Sequence, residues 1–279
     1  MSYKVRPATR EELAYVVEWA AKEGWNPGLY DADAFYASDP NGYLMGFLDG
    51  EPIASLSAVS YGPDFGFLGF YIVKPEHRGK GFGLKLWQEA IKYLNTQNIG
   101  LDGVVAQQEN YKKSGFTLAY SNIRYEGVGS NKVKPLSDIV PVNNIPFDQL
   151  LRYDRQFFPA DRERFLKEWI KQPKSLSLGF VKNNTLMGYG VVRKCRVGYK
   201  VGPLFADKAE IADELFQQFR AFVGKETIYL DVPEVNKEAV ALAKRNGMEP
   251  MFETARMYTK APPSLPLERI FGVTTFEIG

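Results

Sequence analysis

Residues 65–94, FGFLGFYIVKPEHRGKGFGLKLWQEAIKYL, restrict the possible folds of this chain more than any other stretch. An apolar run rich in β-forming residues ends at Pro75, and a basic turn with alternating glycines follows at residues 78–83. Apolar residues then recur at helical spacing, which predicts one packed helix face: Leu84, Trp87, Ile91 and Leu94. The pattern predicts a strand, a loop and a helix whose free N-terminus can bind an anion.

The glycine spacing excludes two common nucleotide-binding motifs. A Walker loop has four residues between its glycines and then Lys followed by Ser or Thr, whereas Gly79, Gly81 and Gly83 alternate and Leu84 follows. A dinucleotide fingerprint needs Gly three residues after its second glycine, and that position is Leu84 or Leu86. The anion bound at this loop must therefore belong to another ligand class.

The loop resembles the pyrophosphate-binding loop of the GCN5-related N-acetyltransferases (GNAT). That family's pattern is Gln or Arg, two residues, Gly, one residue, and Gly or Ala, and Arg78, Gly81 and Gly83 fill it. The preceding Val73-Lys74-Pro75 is similar to the end of the family's strand before the loop. A turn that merely needs flexible glycines is the alternative. The resemblance implies acetyl-CoA as the cofactor, with its pyrophosphate held by Arg78, Gly79, Lys80, Gly81, Phe82 and Gly83.

The order of predicted elements up to residue 130 is similar to the order in that family. Residues 3–6 predict a strand, Thr9 and Glu12 a capping box at a first helix, and residues 31–37 a second helix. A hairpin turning at Asp49-Gly50 precedes the central strand, and strand 99–106, helix 109–114 and a last strand at 116–127 follow the phosphate-loop helix. In the family, the cofactor's pantetheine arm lies between strands corresponding to 65–73 and 99–106.

The second half of the sequence reads as a copy of the first. Residues 227–246, TIYLDVPEVNKEAVALAKRN, parallel residues 99–114, with Leu-Asp in both predicted strands. Gly202-Pro203-Leu204 stands where the first half has its arginine-glycine loop. The fold class is thus an α/β (α+β) chain of tandem acyl-CoA N-acyltransferase folds, each a mixed, mostly antiparallel sheet flanked by helices. The expected units are a catalytic domain (1–130), a linker (131–137) and a domain without the loop (138–279).

The resemblance assigns the chemistry to the first half. The family's acid is a tyrosine four residues before a Gly-Phe pair, and Tyr111 precedes Gly115-Phe116 in this way. A phenol is neutral at pH 7 and can protonate a departing thiolate, although a tyrosine that simply packs is the alternative. The family's carbonyl-polarising backbone N–H would be that of Tyr71, and Ile72 and Val73 would pair with the pantetheine amides.

The sequence departs from the family pattern at the pantetheine contacts. The family often has Asn and Ala where this chain has Val104 and Gln107. The second copy is the reverse, because Asn236 and Ala239 are present but Ala243 replaces the tyrosine. Only the first copy can be complete.

The acceptor side is less constrained by the sequence. Asp102 and Glu109 lie near the expected cleft and could take the proton of an incoming ammonium, although a structural or solvated role is the alternative for each. Trp25 and Asn26 could line the acceptor pocket, although Trp25 could equally pack the end of the first helix against the core. Asp231 could contact the acceptor from the second half.

Composition narrows the partners. The 35 basic and 33 acidic residues give a net charge of +2 without a clustered basic face, so no nucleic-acid partner is expected. The N-terminal sequence has no signal-like apolar region and no run long enough to cross a membrane, and Cys195 is the sole cysteine, so we expect a soluble, cytoplasmic protein. A single histidine, His77, excludes zinc catalysis through several histidines, and no metal is expected.

The sequence therefore predicts an N-acetyltransferase that moves acetyl from acetyl-CoA to the amine of a small molecule or peptide by direct attack. The alternatives are a non-catalytic acyl-CoA binding or sensing protein, and an enzyme that uses a longer acyl donor. The sequence leaves the oligomeric state open.

Overall fold

The computed structural model describes residues 2–95, 98–131 and 137–279. Most of the predicted linker, residues 132–136, lies outside the described residues, and the predicted domain bounds stay a prediction. The helices and strands of the first half are β1 (Tyr3–Pro7), α1 (Leu13–Lys22), α2 (Asp31–Ser38), β2 (Tyr43–Leu48), β3 (Glu51–Ser60), β4 (Phe65–Val73), α3 (Phe82–Leu94), β5 (Asn98–Val104), α4 (Gln108–Lys113) and β6 (Thr117–Val128).

The second half repeats this order. Its elements are β7 (Ile139–Pro141), α5 (Phe147–Asp154), α6 (Glu163–Trp169), β8 (Ser175–Lys182), β9 (Thr185–Lys194), β10 (Tyr199–Ala206), α7 (Ala209–Val223), β11 (Thr227–Pro233), α8 (Lys237–Arg245), β12 (Glu249–Tyr258) and a short β13 (Ile270–Gly272).

The strands form one continuous sheet in which the halves exchange strands. The order is β1-β2-β3-β4-β5-β12-β6-β11-β10-β9-β8-β7, and β13 pairs with β10. Only the β4–β5 and β10–β11 pairs are parallel among those described. The strand predicted at 116–127 exists as β6, but it lies between β11 and β12 of the second half, while β12 takes the place beside β5. The predicted tandem fold class is confirmed, with each half completed by the last long strand of the other.

Local sequence signals explain where several elements begin and turn. The predicted capping box forms, since the backbone N–H of Thr9 donates to Glu12 Oε2 and the N–H of Glu12 donates to Thr9 Oγ1. The β8–β9 hairpin turns at Asn183 and Asn184, whose φ angles of 50° and 59° suit a primed two-residue turn. The Asn183-Asn184 turn fixes the register between β8 and β9.

The packed face of α3 differs from the predicted one. Leu86, Ala90 and Leu94 are the buried residues of this helix, whereas Leu84 is 60% exposed. The prediction for Leu84 was wrong because the packed face of α3 carries Leu86, Ala90 and Leu94, and Leu84 lies off that face. Leu84 instead lines a cavity described below.

Helix α7 and strand β12 were not identified from the sequence. The buried residues of α7 recur with helical spacing that could have revealed it: Ile211, Leu215, Phe216, Phe219 and Val223. Strand β12 carries the weaker signal, since its first half is exposed and its second half is buried on both faces of the sheet. Period-two alternation is therefore absent over much of β12.

A shared core joins the two halves. Phe35 of α2 stacks on Trp169 of α6 with ring centroids 6.0 Å apart, and it meets Phe70 of β4 edge-on at 5.6 Å. All three side chains are buried. Their burial ties the helical layer of one half to that of the other. Within the described part of the chain, no helix has the length and apolar character needed to cross a bilayer.

Candidate active site

A cavity of about 480 Å³ opens where β4 and β5 separate. Its first-half lining includes Gly69 to Val73 of β4, the glycine loop with the start of α3, Leu101 and Asp102 of β5, and Tyr111 of α4. The second half contributes four lining residues: Phe252, Thr254, Phe276 and Glu277. The cavity is thus built from both halves of the chain.

The gap between β4 and β5 arises from a bulge in β4. The parallel ladder ends at Leu68 and Leu101, and the β3–β4 register shifts immediately afterwards. Phe70 lies at this shift with a φ of 47°, a left-handed conformation that costs a non-glycine residue about 1–2 kcal/mol. Burial of the Phe70 ring contributes about 1.5–3 kcal/mol and offsets that cost. From Gly69 onward, the edge of β4 that faces β5 has no neighbouring strand among the described residues.

The glycine loop leaves the N-terminus of α3 open to the cavity. Gly79 and Gly81 have φ angles of 74° and 81°, which side-chain-bearing residues rarely adopt, and Gly81 caps α3. A Cβ on Gly83 would lie 2.7 Å from the Tyr71 hydroxyl oxygen, so a larger residue there would displace the Tyr71 side chain. Since α3 spans 13 residues, its dipole and free N–H groups favour an anion at this point.

The basic side chains of the loop also hold its shape. The Arg78 Nε–H donates to the carbonyl oxygen of Val73 at 2.7 Å, and its guanidinium pairs with Glu23 at 2.5 Å. The Lys80 ammonium donates to the carbonyl oxygen of Glu76 at 2.8 Å. Both side chains therefore brace the loop around the helix N-terminus. Phe82, the first residue of α3, anchors the end of the loop by packing its ring 4.8 Å from that of Tyr3 in β1.

Tyr111 projects from α4 into the cavity lining. Its ring packs between Trp87, at 5.9 Å, and Phe116, at 6.4 Å, and a Cβ on Gly103 would collide with it. Burial, with a smaller contribution from Tyr71, raises the pKa of Tyr111 to about 12. The phenol is therefore protonated throughout the physiological range and can donate a proton.

The other sequence-predicted residues divide into two groups. Trp25 and Asp102 line the cavity, as do Tyr71, Ile72 and Val73. The Asp102 carboxylate, however, is bound by the Arg256 guanidinium at 2.6 and 2.8 Å and by the Asn122 amide at 2.8 Å. Burial raises the pKa of Asp102 above its ordinary value, although Arg256 opposes this effect.

Asn26, Glu109 and Asp231 lie outside the cavity lining. The Asn26 side chain is bonded to the backbone of Val197 in the β9–β10 hairpin, which ties the loop after α1 to the second half. Glu109 is exposed and pairs with Lys112 at 2.7 Å. Asp231 is buried in an ion pair with Arg124. The structure thus gives each of these three a structural or surface contact.

The cavity residues of the second half were missed by sequence reasoning. Phe252 and Thr254 reach the site because β12 is exchanged into the first half, and Phe276 and Glu277 reach it from the segment after β13. The Arg124 guanidinium lies over both rings, 5.1 Å from the centroid of Phe276 and 5.7 Å from that of Phe252. The Leu-Asp motif shared by the two halves indicated related strands, but it could not reveal that β6 and β12 are exchanged between the halves.

The corresponding gap in the second half is filled by its own chain. Strands β10 and β11 pair only as far as Val201 and Leu230, and β13 then pairs with β10 at Leu204 and Phe205. The Asn236 amide donates to the carbonyl oxygen of Ile270 in β13 at 2.9 Å. A polypeptide segment therefore occupies the second gap, whereas the first gap is open.

Comparisons with known proteins agree on one fold family. The family model described as "Acetyltransferase (GNAT) family" matches residues 10–116, and the one described as "Acetyltransferase (GNAT) domain" matches residues 150–272. The curated protein "Holothin acyltransferase" of Pseudoalteromonas sp. (strain SANK 73390) is 31% identical over 275 residues, which cover 98% of this chain and 94% of that protein.

Solved structures show the same two-part fold. A protein from Pyrococcus horikoshii, described as a candidate acetyltransferase, superposes with a TM-score of 0.84 at 23% identity and covers 99% of this chain and 96% of its own. A tandem GNAT protein from the clavulanic acid biosynthesis pathway superposes with a TM-score of 0.64 at 13% identity, covering 94% of this chain and 100% of its own. At these identities the structures bear on the fold alone.

Proposed function

Because this chain belongs to the GNAT family and is an acyltransferase, we propose that it moves acetyl from acetyl-CoA to the amine of a small molecule by direct attack. The observation that carries the proposal is the open gap between β4 and β5, with a glycine-lined helix N-terminus at one end and Tyr111 at its side. The second half has no such arrangement, because β13 fills its gap.

The residues present fit a CoA thioester. The positive φ angles of Gly79 and Gly81 let a pyrophosphate approach the backbone N–H groups at the start of α3, and Arg78 and Lys80 add positive charge beside it. The unpaired edge of β4 at Ile72 and Val73 offers backbone groups to the amides of a pantetheine arm. The bound thioester supplies an activated acetyl group with a thiolate leaving group.

The cavity lining supports the following catalytic roles. The backbone N–H of Tyr71 is proposed to polarise the thioester carbonyl, since it belongs to the stretch of β4 without a strand partner on the β5 side. The Tyr111 hydroxyl is proposed to protonate the leaving sulfur. Trp25, Phe252 and Phe276 are proposed to form the acceptor side of the cavity.

The acceptor is proposed to be a small molecule. The relative's name describes acyl transfer to holothin, and the cavity of about 480 Å³ must also hold the pantetheine arm, so the room left beside the acetyl group suits a compact acceptor. We also propose that the reaction takes place in the cytoplasm, a setting supported by the single buried thiol of Cys195.

The proposal is tested by thiol release from acetyl-CoA with a panel of amines. The panel comprises amino acids, polyamines, aminoglycosides, peptides and holothin, and longer acyl-CoA donors are run in parallel. Acceptor-dependent release, with a mass increase of one acetyl group on the acceptor, is expected. CoA binding without release for any acceptor or donor would instead indicate a binding or sensing protein.

A further inference from the structure

The segment after β13 links the filled gap of the second half to the cavity of the first half. It runs from Val273, whose N–H donates to the carbonyl oxygen of Asp231, to Ile278, whose carbonyl oxygen accepts from the Tyr61 hydroxyl at 2.8 Å. Between them, the carbonyl oxygen of Glu277 accepts from Ser57 Oγ at 3.0 Å. A Cβ on Gly69 would collide with that same carbonyl oxygen. Glu277 is therefore fixed against the bulge of β4.

Three carboxyl residues line the cavity, and they differ in what their oxygens bind. Glu23 pairs with Arg78, and Asp102 is bound through both oxygens by Arg256. Glu277 is only 4% exposed, and its Oε2 accepts a hydrogen bond from the neutral Thr275 hydroxyl. Of the three, Glu277 is the carboxylate whose bonded partner is uncharged, so it keeps more of its basicity.

The three cations that act electrostatically on Glu277 each have another bonded partner, although Arg193 is bonded through Nε and its Nη1 and Nη2 are buried without a hydrogen-bond partner among the described residues. Arg124 pairs with Asp231, Arg193 pairs with Asp31, and the Lys200 ammonium donates to the carbonyl oxygen of Trp25. Burial raises the pKa of Glu277 above its ordinary value, and Asp31 adds to this, while Lys200, Arg124 and Arg193 oppose it. A carboxyl with a raised pKa is a stronger base when ionised.

We propose that Glu277 is the catalytic base that removes a proton from the acceptor ammonium. The inference rests on the proposed function and adds the residue that the acceptor needs. The N–H electron pair stays on nitrogen and forms the new N–C bond to the thioester carbonyl. The C–S electron pair leaves with sulfur, which takes the Tyr111 proton. The second nitrogen proton restores Tyr111, and the proton on Glu277 passes to solvent, so one amide, one thiol and one proton are formed.

The charged and titratable groups that face Glu277 belong to several elements packed around it. None of these groups is changed in the variants compared below. They are Asp31 of α2, Tyr43 of β2, Arg124 of β6, Arg193 of β9 and Lys200 of β10. Since the ionised form of Glu277 is the active one, the rate should rise with pH through its raised pKa.

The test compares Glu277→Gln, Glu277→Asp and wild type, using acetyl-CoA and the best amine of the panel. Glu277→Gln should lower turnover about 100-fold at pH 7 with the Kd for CoA unchanged. The deficit should shrink as the pH rises above the pKa of the ammonium, which is about 8 for an α-amino group and about 10 for a lysine-like amine. Glu277→Asp should restore part of the rate. A purely structural role would give a pH-independent deficit.

Glu253→Gln is the matched control. Glu253 is an exposed glutamate of β12 that accepts from the Ser121 hydroxyl and lies outside the cavity lining, so its turnover should match wild type. Undiminished turnover of folded Glu277→Gln, or the same deficit at every pH, would overturn the assignment. If Glu277→Gln does not fold, Glu277→Asp decides the question. In that variant, a fall in rate at low pH identical to that of wild type would overturn the assignment. Absence of thiol release by wild type with every amine would contradict the proposed function itself.

Discussion

The Arg124 guanidinium and the Asp231 carboxylate form a buried bidentate ion pair that joins β6 of one half to β11 of the other, with N–O distances of 2.6 and 2.8 Å. Burial alone would raise the pKa of Asp231, but Arg124 outweighs it and holds the pKa below its ordinary value. Arg256 and Asp102 form the equivalent pair between β12 and β5, also at 2.6 and 2.8 Å. Both Leu-Asp motifs thus bind an arginine of the exchanged strand.

Asp231→Ala should lower the free energy of unfolding by about 3–5 kcal/mol, because Arg124 would remain buried without its counter-charge. Urea denaturation followed by fluorescence measures the change. The control is Asp33→Ala, which removes the carboxylate of the exposed Arg10–Asp33 pair and should cost less than about 1 kcal/mol. Equal losses in the two variants would contradict a structural role for the buried pair.

Tyr111→Phe should lower turnover by about 10²-fold or more while the Kd for CoA stays within twofold, because only the proton donor is removed. The pKa of about 12 places loss of the Tyr111 proton far above neutrality, so the wild-type rate should show no fall assignable to Tyr111 up to about pH 10. Steady-state kinetics across pH and calorimetric CoA binding measure both effects. Tyr15→Phe, at an exposed position of α1, is the control. Wild-type turnover in Tyr111→Phe would exclude the acid role.

Arg78→Glu should weaken CoA binding at least about tenfold, because a carboxylate would face both the pyrophosphate and Glu23, and the bond to the Val73 carbonyl would be lost. Lys92→Glu makes the same charge change at the exposed far end of α3 and should leave the Kd near its wild-type value. Titration calorimetry with CoA compares the two. An unchanged Kd for Arg78→Glu would mean that the loop does not hold the pyrophosphate.

The chain should bind one CoA per polypeptide. The gap of the second half is filled by β13, held through Leu204, Phe205 and the Asn236 amide. Residues 202–204, expected to replace the glycine loop, lie within β10, and only Asp207 and Lys208 connect β10 to α7 where the first half has that loop. Calorimetric titration of the full chain with CoA should give a stoichiometry near one. A stoichiometry of two would show that β13 is displaced by the cofactor.

Much of the fold was predictable because its local signals are strong. The β2–β3 and β8–β9 hairpins, the capping box of Thr9 and Glu12, and helices α2, α3 and α4 lie where the sequence places them. The acceptor side was less predictable. Glu277 stands about 200 positions after Val73 in the sequence, and no spacing rule connects them.

The sequence alone determined the tandem fold class and the single glycine loop, because turn chemistry, apolar period and backbone freedom at Gly79 and Gly81 act between near neighbours. Tertiary structure decided the exchange of β6 and β12, the filling of the second gap by β13, and the arrival of Glu277 in the first cavity. Those features depend on pairing between segments far apart in the chain, such as Asp102 with Arg256. Their stability comes from burial and charge pairing in the assembled sheet, which no local pattern encodes.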